Sequence, residues 1–284
     1  VVPDLAHRTI LVTGATSGIG LVAARELAAM GAEVALVGRD PGRLDAALRE
    51  VQGRTPGGRI HALRADLASL AGVRALAEEV RARFPRLHVL LNDAGGVSAR
   101  REVTVDGLER TFAVNHLAPY LLTRLLADRL RESAPSRVVN VASVAHRHAD
   151  LDFDDLQLAR GYRTMRAYAR SKLANVLFTR ELARRLGGSR VTANCVHPGA
   201  VATRIWSRAP WIARPVLLVL KRFMRTPEEG ARPLVHLAAS PELEALTGAY
   251  FEGRRQVEPS DLARDPAVAE RLWDESARLV GLPP

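Results

Sequence analysis

The sequence predicts an α/β protein: a single doubly wound domain whose seven-stranded parallel sheet carries helices on both faces. Three observations predict it. Short β-branched apolar runs alternate with stretches of helical spacing along nearly the whole chain. A glycine-rich run, TGATSGIG (Thr13 to Gly20), sits between the first strand and the first helix. No linker, repeat or low-complexity block interrupts the alternation, so residues 1–284 are read as one domain.

The elements follow in order. TILVTG is a short apolar run that ends in Gly14, and GIGLVAARELAAM has helical spacing up to Gly31. EVALVG is the second strand. PGRLDAALREV opens with a proline suited to a first helical turn. RIHALRADL holds the third strand, and SLAGVRALAEEVRARF is a helix capped by Ser69 and stopped before Pro85. LHVLLND is nearly all apolar, as strands covered on both faces are. A long helix is expected from Val105 to Arg131, a fifth strand at RVVNVAS and a helix from Tyr162 to Leu186. RVTANCVHPG is the sixth strand and GAYFEG the seventh. Right-handed crossovers set the handedness. Residues 145–160 and 203–226 break the rhythm after strand ends, where open α/β sheets bind ligands; they are expected to form an insert and a lid over a substrate.

Composition excludes several classes. The net charge is +10, but the arginines are interleaved with Glu and Asp on helices, as in RALAEEVRAR. No basic block stands apart and aromatics are few, which argues against nucleic acid as a partner. The single Cys195 rules out an internal disulfide and reads as a buried strand residue. His146 and His148 lie two apart with no Cys or His cluster to join them, so no metal is expected. No run is long and apolar enough for a signal peptide or membrane span, which sets the expectation of a cytoplasmic protein; a leader removed before Val1 stays open.

The glycine run suits a dinucleotide. Gly14, Gly18 and Gly20 let the backbone come close to a diphosphate, and Thr16, Ser17 and Ile19 lie in the same turn. The helix that follows offers free N–H groups and the positive end of its dipole. This is a Rossmann-type arrangement, spaced G-x-x-x-G-x-G. NAD sites usually carry an acid at the end of strand two. Here the strand ends LVGRD, where Gly38 leaves space and Arg39 supplies a planar cation for a 2′-phosphate, while Asp40 caps the next helix. NADP(H) is therefore favoured over NAD(H). The bland alternative is that Arg39 is one surface arginine among many.

Catalysis is read from AYARSK, Ala167 to Lys172. Of 41 Lys and Arg residues only Lys172 and Lys221 are lysines. Tyr168 and Lys172 are four apart and share a helix face. A fixed ammonium favours phenolate, which makes Tyr168 a general acid or base for a carbonyl or alcohol. Ser143 ends the fifth strand and offers a hydroxyl to the same substrate oxygen.

With these residues the chain resembles the short-chain dehydrogenase/reductase family. The likeness runs through TGATSGIG, the Asp66-Leu67 pair, LNDAG, FAVNHL, Ser143, YARSK and HPGAVAT, in that order. It implies that Tyr168 moves the proton, Ser143 orients the substrate oxygen, and Lys172 lowers the Tyr pKa and holds the nicotinamide ribose. It implies that Asn115 holds a relay water and that Asp66 and Leu67 contact adenine. Asn92, Ala94 and Gly95 would line the adenosine side; Pro198, Gly199, Val201 and Thr203 would hold the nicotinamide and phosphate. One departure is Asp93, which stands where the family usually has a second Asn; if buried, it needs N–H partners from its neighbours.

SKLANVLFTRELARRL, the 25-position gap from Ser143 to Tyr168, and RLWDESARLVGLP are similar to the retinol dehydrogenase-like branch. The reaction implied is hydride transfer between NADP(H) and a bulky lipophilic aldehyde or ketone, retinoid-like or polycyclic. His146, Trp206 and Trp211 are candidate substrate contacts. The Trp-rich stretch has two other readings: a helix packed on the core, or a membrane-surface helix using Lys221, Arg222 and Arg225. Resemblance implies a homodimer or tetramer through the two long helices, or a monomer. Two rival functions stay open: a non-catalytic NADP-binding sensor or scaffold, and a same-fold epimerase or dehydratase.

Overall fold

The computed structural model describes residues 3–201 and 224–284. The sheet runs in the order β3-β2-β1-β4-β5-β6-β7-β8, from β1 (Thr9–Thr13), β2 (Glu33–Gly38), β3 (Ile60–Arg64), β4 (Val89–Asn92), β5 (Ser136–Val141), β6 (Val191–His197), β7 (Tyr250–Glu252) and β8 (Arg255–Val257). The first seven strands are parallel, as expected. The eighth is a correction: it returns antiparallel to β7, pairing Glu252 with Arg255 across a turn with Gly253 at φ 63°. Arg255 and Gln256 are polar and exposed and only Val257 is apolar, so no apolar run marked it.

Both faces of the sheet are covered. In β1, Leu11 points into one core with α3 (Leu70–Arg83), α5 (Ala118–Glu132) and α6 (Thr164–Arg185). Its neighbours Ile10 and Val12 point into the other, with α1 (Gly18–Ala29), α2 (Pro41–Arg54) and α7 (Pro227–Ala239). That alternation explains why all five β1 positions are apolar or Thr and all are buried. The strand order reverses between β1 and β4, which opens a crevice at their carboxyl ends. Asp40 and Ser69 cap α2 and α3, accepting from the N–H groups of Arg43 and Gly72.

The long helix expected from Val105 is shorter. Thr104 to Leu108 form a turn with Gly107 at φ 77°, and helical structure starts at Arg110. Glu109, buried, caps that start by accepting from the N–H groups of Thr111 and Phe112. A short α4 (Arg110–Phe112) then passes through one π-helical turn, Ala113–Leu117, before α5 begins.

A short helix, α8 (Asp261–Arg264), and a longer one, α9 (Pro266–Val280), close the chain. Trp273 of α9 packs on Tyr120 of α5 and Phe178 of α6, at 5.1 Å and 6.0 Å between ring centroids. Ser276 Oγ lies 2.8 Å from His116 Nε2. At these residues α5 and α6 are covered by the chain's own last helix.

Candidate active site

The crevice is a cleft of about 850 Å³ above the carboxyl ends of the strands. The glycine turn forms one wall. Gly14 and Gly18 have φ of 74° and 61°, which residues with a Cβ rarely adopt. A Cβ at Gly14 would lie 2.9 Å from both the N and Cα of Ala94, so only glycine lets the turn pack on the end of β4. Thr13 ties the two together: its hydroxyl accepts from the N–H groups of Asp93 and Ala94, each at 3.1 Å. Ser17 precedes α1 but makes no side-chain cap bond, so it leaves the first-turn N–H groups to other acceptors. A helix start that its N-cap serine leaves uncapped, behind a glycine turn, fits a diphosphate. The residues present therefore fit a dinucleotide cofactor.

The end of β2 forms the next part. A Cβ at Gly38 would lie 2.3 Å from Thr16 Cγ2, so glycine is needed there for space. Arg39 lines the cleft, half exposed, with its guanidinium 3.9 Å from Asp66. Arg43 lines it too and donates to Ser17 Oγ at 3.2 Å. Sequence reasoning passed over Arg43; its place one turn after Arg39, at the start of α2, was the available signal.

The catalytic candidates converge from three places: the end of β5, α6 and the π-helical turn. Ser143 follows β5, its hydroxyl hydrogen-bonded to the Tyr168 phenol. Tyr168 and Lys172 stand one turn apart on α6, with Nζ 5.7 Å from the centre of the phenol ring. Lys172 Nζ donates to Val141 O at 2.8 Å, the last carbonyl of β5. Asn115 sits in the π-helical turn, a feature that often marks functional positions. Its Oδ1 accepts from Gly96 N–H at 2.8 Å, and its amide donates to Gly96 O and Ser171 Oγ, both at 3.0 Å.

Burial dominates the electrostatics. It pushes the Lys172 ammonium down to about 8, against the pull of Asp93. It pushes the Asp93 carboxyl up to about 7, against Lys172 and the Gly20 N–H. The Tyr168 phenol lies above its ordinary value, raised by burial and by Asp93 and partly lowered by the Ser143 hydrogen bond. Lys172 was expected to lower the phenol; burial, the largest cause, holds it above its ordinary value. His197, which also lines the cleft, is pushed by burial down to about 4.

Of the other expected residues, Thr16, Ile19, Leu67, Gly95, Pro198, Gly199 and Val201 line the cleft. Gly20 lies just under it, against Asp93. Asn92 does not line it: its amide donates to Asn140 Oδ1 at 2.9 Å and Thr123 Oγ1 at 3.3 Å, tying β4 to β5 and α5. His146 does not line it either. It is buried behind Ser143, with Nδ1 2.7 Å from Ser143 O and Nε2 accepting from Ser260 N–H at 3.1 Å. That geometry makes it a support for Ser143 rather than a substrate contact. Thr203, Trp206 and Trp211 lie outside the described residues, as do residues 203–223 of the expected 203–226 lid.

Segment 145–160 contributes Ala145 to the cleft and is anchored from below by Arg170. This arginine, almost fully buried, donates to Asp150 Oδ2 at 2.8 Å and to Asp155 O at 2.5 Å. Among the described residues no cluster of metal-ligating side chains occurs. Nor is any of their helices long and apolar enough to cross a membrane.

Comparison with known proteins agrees with the fold. The family model for short chain dehydrogenase matches residues 8–210. Human (Homo sapiens) retinol dehydrogenase 13 is 43% identical over 97% of this chain and 85% of its own length. A protein of Mycobacterium Paratuberculosis, solved as a putative uncharacterized protein, superposes with a TM-score of 0.81 at 34% identity, covering 99% of this chain and 96% of that one. A Pseudomonas aeruginosa "RhlG/NADP active-site complex" superposes with a TM-score of 0.72 at 30% identity, over 88% of this chain and 95% of that one. The chain belongs to the short-chain dehydrogenase/reductase family of oxidoreductases, in its retinol dehydrogenase-like branch.

Proposed function

We propose that this protein interconverts a carbonyl and an alcohol on a bulky lipophilic molecule, retinoid-like in size, with NADP(H) as cofactor. The observation that carries the reading is the convergence of Ser143, Tyr168 and Lys172 on one cleft whose opposite end is the glycine turn. A bound nicotinamide supplies the hydride for reduction or accepts it in oxidation. The protein's part is to bind, orient and move one proton.

In the reductive direction the Ser143 and Tyr168 hydroxyls both point hydrogen-bond donors at the carbonyl oxygen. The phenol is protonated at neutral pH, since its pKa lies above the ordinary value, so it starts as the acid. It gives its proton to the oxygen as negative charge develops there. Lys172, fixed by Val141 O, stabilises the phenolate left behind. Asn115 holds Gly96 and Ser171, the latter next to Lys172, and so keeps the wall of the cleft in place.

Arg39 and Arg43 support the preference for NADP(H). They place two cations at the end of β2, where a ribose 2′-phosphate belongs. Val97, Val144, Met165 and Met224 give an apolar lining at the other end, and the retinol dehydrogenase relatives support a retinoid-like substrate. NADPH oxidation across a panel of aldehydes and ketones tests the reading. Turnover is expected with long apolar aldehydes. Tight NADPH binding with no turnover on any carbonyl would favour a sensor.

A further inference from the structure

Asp93 is a carboxyl in a place built for a diphosphate. It leaves the end of β4 and reaches the first turn of α1, where a Cβ on Gly20 would lie 2.4 Å from its Oδ2. The Gly20 N–H is its backbone partner there. The turn it touches also carries the other first-turn N–H groups and the positive dipole end that would receive the cofactor's diphosphate. An ionised Asp93 puts a negative charge against that anion. A protonated Asp93 does not.

The groups that face Asp93 are few. From α1 it meets the Gly20 N–H, and from β1 the Thr13 hydroxyl holds its backbone N–H; neither is charged. From α6 it faces the Lys172 ammonium, which favours its ionised form, and Tyr168, whose phenol its charge raises. His197 at the end of β6 is acted on by Lys172. Burial outweighs the ammonium and holds the carboxyl near about 7, within reach of physiological pH. An Asn here would accept from Gly20 in the same way and carry no charge.

We propose that Asp93 is a proton-binding determinant of cofactor affinity: the dinucleotide docks on the form whose Asp93 carboxyl is protonated, and binding takes up a proton. This rests on the dinucleotide reading of the cleft. It makes cofactor binding tighter at lower pH, a dependence the chain acquires from one residue, the Asp that follows Asn92.

The test is NADPH binding by titration calorimetry, from pH 6 to pH 8.5, for the wild-type protein and Asp93→Asn. Each is measured in two buffers of different ionisation enthalpy, so that proton uptake is read directly. Wild type is expected to weaken by about thirtyfold over that range, as linkage to one group titrating at about 7 requires. At pH 7.5 it should take up more protons than the variant. Asp93→Asn is expected to bind more tightly than wild type at pH 8.5 and to equal it at pH 6. Comparing the two removes the titration of the cofactor's own 2′-phosphate, which is common to both. If the variant does not fold, wild-type proton uptake at pH 7.5 is decisive: uptake supports the proposal and its absence overturns it. Equal pH dependence and equal proton uptake in the two proteins overturn the proposal while leaving the dinucleotide reading intact. No binding of NADPH or NADH to wild type at any pH overturns that reading, and the proposal with it.

Discussion

Lys172 and Val141 are joined by a hydrogen bond of 2.8 Å, from the ammonium of one to the last β5 carbonyl of the other. The bond pins the charge of α6 to the strand that ends at Ser143. Asn175, three residues on, donates to the same carbonyl at 3.2 Å. A lysine suits this place because its compact ammonium reaches one carbonyl and still sits one helical turn from the phenol.

Lys172→Arg should therefore fail to substitute. The broad guanidinium cannot occupy the buried pocket without displacing Asn175 or the β5 end. A fall in turnover of about a hundredfold or more is expected, the scale of losing assisted proton transfer. Steady-state kinetics of Lys172→Arg and Lys172→Met check this; wild-type turnover in the Arg variant would remove the positional argument.

Arg39→Ser should shift cofactor choice. The side chain is half exposed and paired only distantly with Asp66, so folding should change little. The kcat/KM for NADPH is expected to fall by tenfold to a hundredfold, about 1.4–2.8 kcal/mol, with NADH little affected. Equal losses for both cofactors would take Arg39 out of its role.

Arg170→Ala should unfasten segment 145–160. Removing an almost fully buried cation strips Asp150 and the Asp155 carbonyl of a charged donor. A loss of about 2–4 kcal/mol is expected, together with lower activity because the segment borders Ser143. Urea unfolding at pH 7.5 gives the first number and turnover the second.

Acid should destabilise the protein partly through His116. Burial holds this imidazole down to about 3, packed against Phe112 and bonded to Ser276. Unfolded, it would take up a proton near its ordinary value of about 6.5. Its contribution is thus complete above that value and is lost as pH falls below it, by about 2 kcal/mol at pH 5. His116→Gln should be less stable than wild type at pH 7.5 but lose less on going to pH 5. Denaturant melts at both pH values decide it.

Local signals carried much of this molecule. The parallel strands were legible because a strand covered on both faces carries a continuous apolar run, as Ile10 to Val12 of β1 and Val89 to Leu91 of β4 do. Tyr168, Lys172 and Ser143 were legible because a four-residue helical spacing and a strand end place them without knowledge of distant contacts. What escaped was long-range. Burial of His146 depends on Tyr250 and on Ser260 N–H, both more than a hundred residues away. Strand β8 escaped because an exposed, polar edge has no hydrophobic pattern. The α4 start escaped because a buried Glu109 does the capping, where Ser, Thr, Asp or Asn would have been sought. Asp93 was visible as a departure in sequence, but its meaning came from three elements meeting around it.

The most direct test of the central claim is Tyr168→Phe. The substitution keeps the ring and removes the hydroxyl shared with Ser143. NADPH oxidation with a long apolar aldehyde should fall by at least about a hundredfold, while NADPH affinity by fluorescence titration stays within about twofold of wild type. Retained turnover in a variant that binds NADPH normally would contradict the account.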